Sequence, residues 1–126
     1  MMSKVYLEKP GFDKHLGRVG ENGDVYRADV GIDDRIGRVD LETGKIYRRR
    51  LGPDEYVGRV ELDSGKVFRA QLGPDEYLGR VHANGRMYRH DPLSPDDLIG
   101  RLSKPVSLYH TGAAFLLLVV PALGEA

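Results

Sequence analysis

Residues 58–69 read GRVELDSGKVFR and form the clearest copy of a unit that recurs along the chain. Each copy opens on a Gly-Arg pair, continues to a second glycine and closes on a residue such as Tyr or Phe followed by Arg. The opening glycines are Gly17, Gly37, Gly58, Gly79 and Gly100, which lie 20 or 21 residues apart. Regular internal repetition of this kind predicts a fold assembled from copies of one supersecondary unit.

Each unit predicts a β-hairpin, because two β-branched or aromatic runs flank a turn signal. Asn22-Gly23 and Asn84-Gly85 are typical of two-residue hairpin turns. The units around Gly44 and Gly65 carry one more residue, which predicts three-residue loops with glycine in the left-handed conformation. In this alignment valines lie opposite aromatic residues, in the pairs Val19–Tyr26, Val39–Tyr47, Val60–Phe68 and Val81–Tyr88. Gly-Pro-Asp-Glu segments then connect successive hairpins.

The two ends of the repeat region match complementary halves of a unit. Residues 4–16 resemble the second half and residues 98–102 the first half. Pairing these strands, with Leu102 opposite Tyr6, would complete a fifth hairpin and leave no free sheet edge. The predicted fold class is therefore all-β with one helix: a closed five-fold ring of five β-hairpins, about ten short antiparallel strands, over residues 4–103 of a single domain spanning residues 1–126.

The segment Gly112–Leu123, GAAFLLLVVPAL, is the one strongly apolar stretch of the chain. A ten-stranded ring would leave a lumen on the order of 20 Å wide, and a helix about 10–12 Å wide would fill it. We therefore predict a linker at 105–111 and a central hydrophobic helix at 111–123, with Pro121 limiting regular helix to about Val120. Its predicted core residues are Phe115, Leu116, Leu117, Leu118, Val119 and Val120. The alternative is that this tail leaves the barrel and enters a bilayer or a partner; it is too short to span a membrane alone.

The alternation along the strands assigns side chains to two faces of the ring. The inward face is predicted to carry the five repeat glycines, which would allow close approach of the helix, and the aromatic row of Tyr6, Tyr26, Tyr47, Phe68 and Tyr88. The outward face would carry the arginines Arg18, Arg27, Arg38, Arg48, Arg59, Arg69, Arg80, Arg89 and Arg101. Carboxylates of the connecting turns are expected to neutralise these arginines, the alternative being a belt that binds phosphate groups.

These units and the apolar tail resemble the β-flower proteins, a largely uncharacterised prokaryotic family. The resemblance covers residues 4–123 and depends on Gly58-Arg59-Val60, Gly65-Lys66-Val67-Phe68-Arg69 and the tail at 112–123. It implies hairpin petals around a hydrophobic C-terminal helix, similar in outline to tubby and scramblase-like barrels. The family supplies no catalytic residues to transfer to this chain.

Composition narrows the possible functions without naming one. The chain has 126 residues, with 19 Lys and Arg against 19 Asp and Glu, and no cysteine. This balance argues against a nucleic-acid partner, and we expect no metal, no cofactor and no catalytic site. Arg48, Arg49 and Arg50 form the single basic run and are the candidate residues for binding an anion or a partner. The sequence thus predicts a cytoplasmic, monomeric structural or binding module with a protein or lipid partner, and alternatively a peripheral protein that binds anionic lipid through the helix and this run.

Overall fold

The computed structural model describes residues 2–28 and 33–124, which form a closed antiparallel barrel around one helix. Each strand pairs with its neighbours in chain order, and β1 pairs with β10 to close the ring. The strands are β1 Met2–Lys9, β2 Phe12–Gly20, β3 Asp24–Arg27, β4 Asp34–Val39, β5 Lys45–Arg48, β6 Glu55–Val60, β7 Lys66–Arg69, β8 Glu76–Val81, β9 Arg86–Arg89 and β10 Asp97–Leu102. The predicted fold class is confirmed.

The closure between β1 and β10 has a register one residue away from the predicted one. Leu102 lies opposite Val5, and Arg101 lies opposite Tyr6. Val5 and Leu102 are both buried, so this register places two apolar side chains inside the barrel. The predicted Leu102–Tyr6 pair is wrong.

The same one-residue shift occurs in the predicted hairpins. Val60 lies opposite Val67, and Phe68 lies opposite Arg59. The reason is loop length: His82 bonds to Arg86 around a three-residue loop, and Asp40 bonds to Lys45 around a four-residue loop. A shift of one residue moves a side chain to the other face of a sheet, so the aromatic row is half-buried on the outer face instead of inside. The residues concerned are Tyr6, Tyr26, Tyr47, Phe68 and Tyr88.

The helix begins before the predicted residue 111, and it continues past Val120, where Pro121 was expected to end the regular helix, within the predicted range of 111–123. It comprises α1 (Leu108–Ala114), a π-helical turn (Phe115–Val119) and α2 (Val120–Ala122). Ser107 caps its N-terminus by accepting a hydrogen bond from the backbone N–H of His110, and this cap moves the start from 111 to Leu108. Pro121 lies in the first turn of α2, where a missing N–H costs little, so the helix continues to Ala122.

The π-helical turn distributes one side chain to each of the five repeat glycines. Measured from an ideal Cβ placed on each glycine, the nearest helix atom belongs to Phe115 at Gly79, Leu116 at Gly58, Leu117 at Gly37, Leu118 at Gly17 and Val119 at Gly100. Five evenly spaced hairpins need about 72° per residue, and an α-helix turns by about 100° per residue. The i→i+5 bonding of a π-helix takes more residues per turn than an α-helix. Its rotation per residue is therefore smaller and lies closer to the value that the five-fold ring needs.

The core lies between the helix and the inner wall. Each hairpin contributes buried apolar side chains such as Val39, Ile46 and Val60, and Ala113–Val120 are buried along the helix. Gly112 fits beneath β6, since a Cβ there would lie 2.5 Å from the Cβ of Val60. No helix among the described residues is both long and apolar enough to cross a bilayer.

Candidate functional site

The outer wall carries a stacked arrangement of arginine, aromatic ring and carboxylate. The guanidinium of Arg59 lies 4.1 Å from the centre of the Phe68 ring, and its Nε donates to Asp75 at 3.2 Å. The equivalent sets are Arg18–Tyr26–Asp33, Arg38–Tyr47–Asp54 and Arg101–Tyr6–Asp13. Cation–π contact and ion pairing thus engage these four arginines. The neutralising carboxylates come from the connections (Asp33, Asp54 and Asp75) and from β2 (Asp13).

The arginines that end β3, β5, β7 and β9 lie on the inner face of the barrel instead of the outer wall. The residue two positions before each of these arginines is buried: Val25, Ile46, Val67 and Met87. Arg27, Arg48, Arg69 and Arg89 therefore have inward parity rather than the predicted outward one. They lie where the strands reach the end of the barrel. Arg69 pairs with Glu76, and Arg89 donates to the carbonyl oxygen of Leu78.

We call this end of the barrel the C-rim, because the helix ends there. It comprises the connections at 10–11, 28–33, 49–54, 70–75 and 90–96, of which 29–32 lie outside the described residues. The opposite end, the N-rim, comprises the connections at 21–23, 40–44, 61–65 and 82–85. His110, near the start of the helix, is bonded through Nε2 to the carbonyl oxygen of Glu21 at 2.9 Å, which places the N-terminal end of the helix at the N-rim.

The C-rim exposes large apolar side chains at the tips of its connections. Leu51 and Leu72 are fully exposed, and Leu93 is 94% exposed. They recur every 21 residues, each two residues before a proline, and Val30 continues this series in the sequence but lies outside the described residues. Phe12, at the tip of the first hairpin, is 63% exposed. Isolated exposed leucines are ordinary, but the same position in three successive connections is a regular feature of this rim.

Two of the clefts between the C-rim connections and the end of the helix are lined by residues of the basic run. The larger has a volume of about 590 Å³ and is lined by Arg27, Asp34, Arg35, Ile36, Arg48, Arg49, Leu117 and Pro121; we call it the arginine groove. The smaller, of about 200 Å³, lies beside it and includes Arg50, Glu55 and Tyr56. Burial raises the pKa of the Tyr56 hydroxyl.

The three arginines of the predicted basic run, Arg48, Arg49 and Arg50, are distributed over these two clefts. Arg49 lines the arginine groove, and Arg48 lines both clefts. Arg50 lies in the smaller cleft and pairs with Glu55 at 2.6 Å. Sequence reasoning missed Arg27 in the groove and the rim leucines. Both could have been found from the repeat, since Arg27 aligns with Arg48 and the leucines share one repeat position.

A second electrostatic cluster ties the closing strands together. Arg101 of β10 binds Asp13 of β2 at 2.6 Å and lies 3.6 Å from Glu8 of β1. The hydrogen bond from Arg101 holds the pKa of Asp13 below its usual range. Burial, together with a hydrogen bond to Asp13, raises the pKa of Glu8. This cluster belongs to the barrel closure rather than to a binding surface.

Comparison with known proteins adds no relative. Neither protein-family models, nor curated proteins, nor solved structures match this chain. Within residues 2–28 and 33–124, no group of three or more His, Asp or Glu side chains is placed to hold a metal ion.

Proposed function

We propose that the protein is a non-enzymatic binding module that docks on a membrane surface through its C-rim. The observation that carries this proposal is the set of fully exposed leucines, Leu51, Leu72 and Leu93, at equivalent positions of one rim. Separate apolar tips around a ring do not form the contiguous packed centre of a protein interface. They are suited to entering a bilayer side by side.

The helix contributes to this surface as a support rather than as an anchor. Phe115–Val120 are buried among the strands, so releasing them would expose the core of the barrel. Docking through the rim leaves the core intact, and for that reason we favour it over insertion of the tail. The apolar contact of this proposal therefore comes from the loops.

The charge distribution on one side of the C-rim supports docking on an anionic bilayer. Of the C-rim carboxylates, Asp54, Asp75 and Glu55 are paired with arginines. Arg27, Arg48 and Arg49 have no ion pair within the described part of the chain. Each basic residue near an anionic bilayer contributes about 1 kcal/mol of attraction.

The energy available from the leucines is enough to measure. Full burial of a leucine side chain gives about 1.5–3 kcal/mol, and partial insertion at about 1 kcal/mol each would give about 3 kcal/mol for three. That corresponds to about a hundredfold in affinity. This weak, reversible association suits a peripheral protein.

Liposome co-sedimentation tests the proposal. At low salt we expect binding to vesicles of phosphatidylcholine with phosphatidylserine, and loss of it in the triple variant Leu51→Ser, Leu72→Ser, Leu93→Ser. The matched control is Leu41→Ser with Leu62→Ser, since these leucines are 40% and 53% exposed on the N-rim. The proposal fails if the wild type stays in the supernatant, or if the triple variant sediments like the control.

We also propose that the chain belongs to the β-flower family and that it is cytoplasmic. The repeat unit and the enclosed apolar helix support the first. In the ion pairs Arg18–Asp33, Arg38–Asp54 and Arg59–Asp75 both partners are engaged in holding the barrel exterior, which supports a structural role for this wall.

A further inference from the structure

The arginine groove is a strongly cationic recess. Arg27 and Arg48 reach it from β3 and β5, on either side of β4, and Arg49 follows Arg48 in the next connection. None of the three has an ion pair within residues 2–28 and 33–124. Arginines of the outer wall such as Arg18, Arg38 and Arg59 are paired with carboxylates, whereas these three are available to a ligand.

The charge of the groove is set by a small number of groups. Arg35 also lines it, but its guanidinium is 3.1 Å from Asp24 and 3.6 Å from Asp54, so two carboxylates neutralise it. Among the described residues of the lining, Asp34 is the one carboxylate, and it lies across from Arg27 in the β3–β4 ladder. Within this described lining, three guanidinium groups against one carboxylate leave an excess of two positive charges.

The remaining lining of the groove is apolar. Ile36, Leu117 and Pro121 provide apolar surface where the helix ends. An ion beside such a surface is less well screened than in bulk water, so its attraction to a guanidinium is stronger. Guanidinium groups also bind phosphate oxygens in pairs, with two parallel hydrogen bonds.

We propose that the arginine groove binds a phosphomonoester group, and that its source is the headgroup of an anionic lipid in the surface on which the C-rim docks. A phosphomonoester carries about −1.5 to −2 charges at neutral pH, which matches the excess of two positive charges. The claim that a lipid headgroup supplies the phosphate rests on the proposed function. The claim that the groove binds a phosphomonoester does not. Leu51 lies two residues beyond Arg49, so insertion of this leucine would bring the groove to the level of the headgroups.

Vesicles of two compositions separate a phosphomonoester site from general attraction. One contains phosphatidic acid and the other phosphatidylserine, both in phosphatidylcholine, with mole fractions adjusted to equal surface charge. We expect at least fivefold stronger binding of the wild type to phosphatidic acid. Arg49→Gln should remove this preference, and Arg50→Gln should keep it. These residues are adjacent and exposed, and each variant loses one positive charge, but Arg50 lies outside the groove.

A second arm uses inorganic phosphate without vesicles, read by chemical shifts of the arginine side chains. Shifts in the wild type that disappear in Arg49→Gln and persist in Arg50→Gln support the phosphate site, whichever source supplies it. Equal binding to both vesicles overturns the lipid headgroup as ligand while rim docking stands. No shift with phosphate together with equal or absent vesicle binding overturns the whole inference. Thermal melts of both variants confirm that each is folded.

Discussion

The close approach of the strands and helix at Gly58 yields the sharpest test of the architecture. A Cβ at this position would lie 2.3 Å from the carbonyl oxygen of Phe68 and 2.6 Å from Cδ2 of Leu116. The leucine methyl can move by rotation of its side chain. The carbonyl belongs to the backbone of the paired strand, so Gly58→Ala forces the hairpin itself to shift.

The cost of this substitution follows from two opposing effects. Overpacking against backbone costs typically 1–3 kcal/mol, and the upper end applies because the obstructing atom cannot rotate away. Alanine also lowers the entropy of the unfolded chain relative to glycine, which offsets about 0.5–1 kcal/mol. We therefore expect Gly58→Ala to destabilise the protein by about 2 kcal/mol, or about 6–12 °C in Tm for a domain of this size.

Two further glycines provide a graded series for the same assay. Gly100→Ala should cost less, because its nearest neighbours would be Tyr6 O at 3.0 Å and a Val119 methyl at 3.1 Å. Gly20→Ala is the control, since the nearest atoms are the ends of the Asn22 and Met2 side chains. Thermal and urea unfolding of the three variants should rank them Gly58, Gly100, Gly20 in order of loss. A Gly58→Ala protein as stable as wild type would refute the packing described here, and so would an equal loss at Gly20.

Three more outcomes follow from particular contacts. Asp13→Asn should lower stability at neutral pH, because the pKa of Asp13 is depressed in the fold. The stabilisation from the Asp13 carboxylate is present above the unfolded pKa of about 3.9 and is lost as pH falls through the folded pKa. Acid titration of both proteins should therefore show that their difference in stability vanishes at low pH. Ser107→Ala removes the N-cap of the helix and should cost about 1 kcal/mol in urea unfolding, with Ser107→Asp close to wild type; an unchanged alanine variant would contradict the cap. Deletion of 108–124 removes the side chains that fill the barrel, and size-exclusion and near-UV circular dichroism should report aggregation or loss of fixed packing; a truncated chain that unfolds cooperatively would contradict the role of the helix as core.

Repetition made the ring predictable from the sequence. The half-units at 4–16 and 98–102 indicate closure because neither makes a hairpin alone, and the apolar segment matches the lumen in size. These inferences depend on the matching of whole repeat units and on the apolar content of a whole segment. Neither changes when the strand register shifts by one residue. The structure confirms the closed barrel and its helix.

The faces of the strands were harder to predict, because they depend on loop length. Treating Asn22-Gly23 as a complete turn places Tyr26 inside, whereas the loop has a third residue and Tyr26 stacks on Arg18 outside. The arginine groove was missed for the same reason, since Arg27 and Arg48 were assigned to the wrong face. The cap at Ser107 was also missed, because it involves a histidine at a position where Glu or Gln is the usual signal.

The order of elements along the chain has a consequence for how this molecule reaches its native state. The segment that fills the barrel follows all ten strands, and the first strand must wait for the tenth before its edge is covered. Until that point the growing chain holds hairpins with exposed apolar faces and open edges, which are the features that lead to aggregation. Contacts between distant parts of a chain also slow folding. The protein should thus depend on rapid completion of synthesis, or on a chaperone, more than an open sheet of the same length.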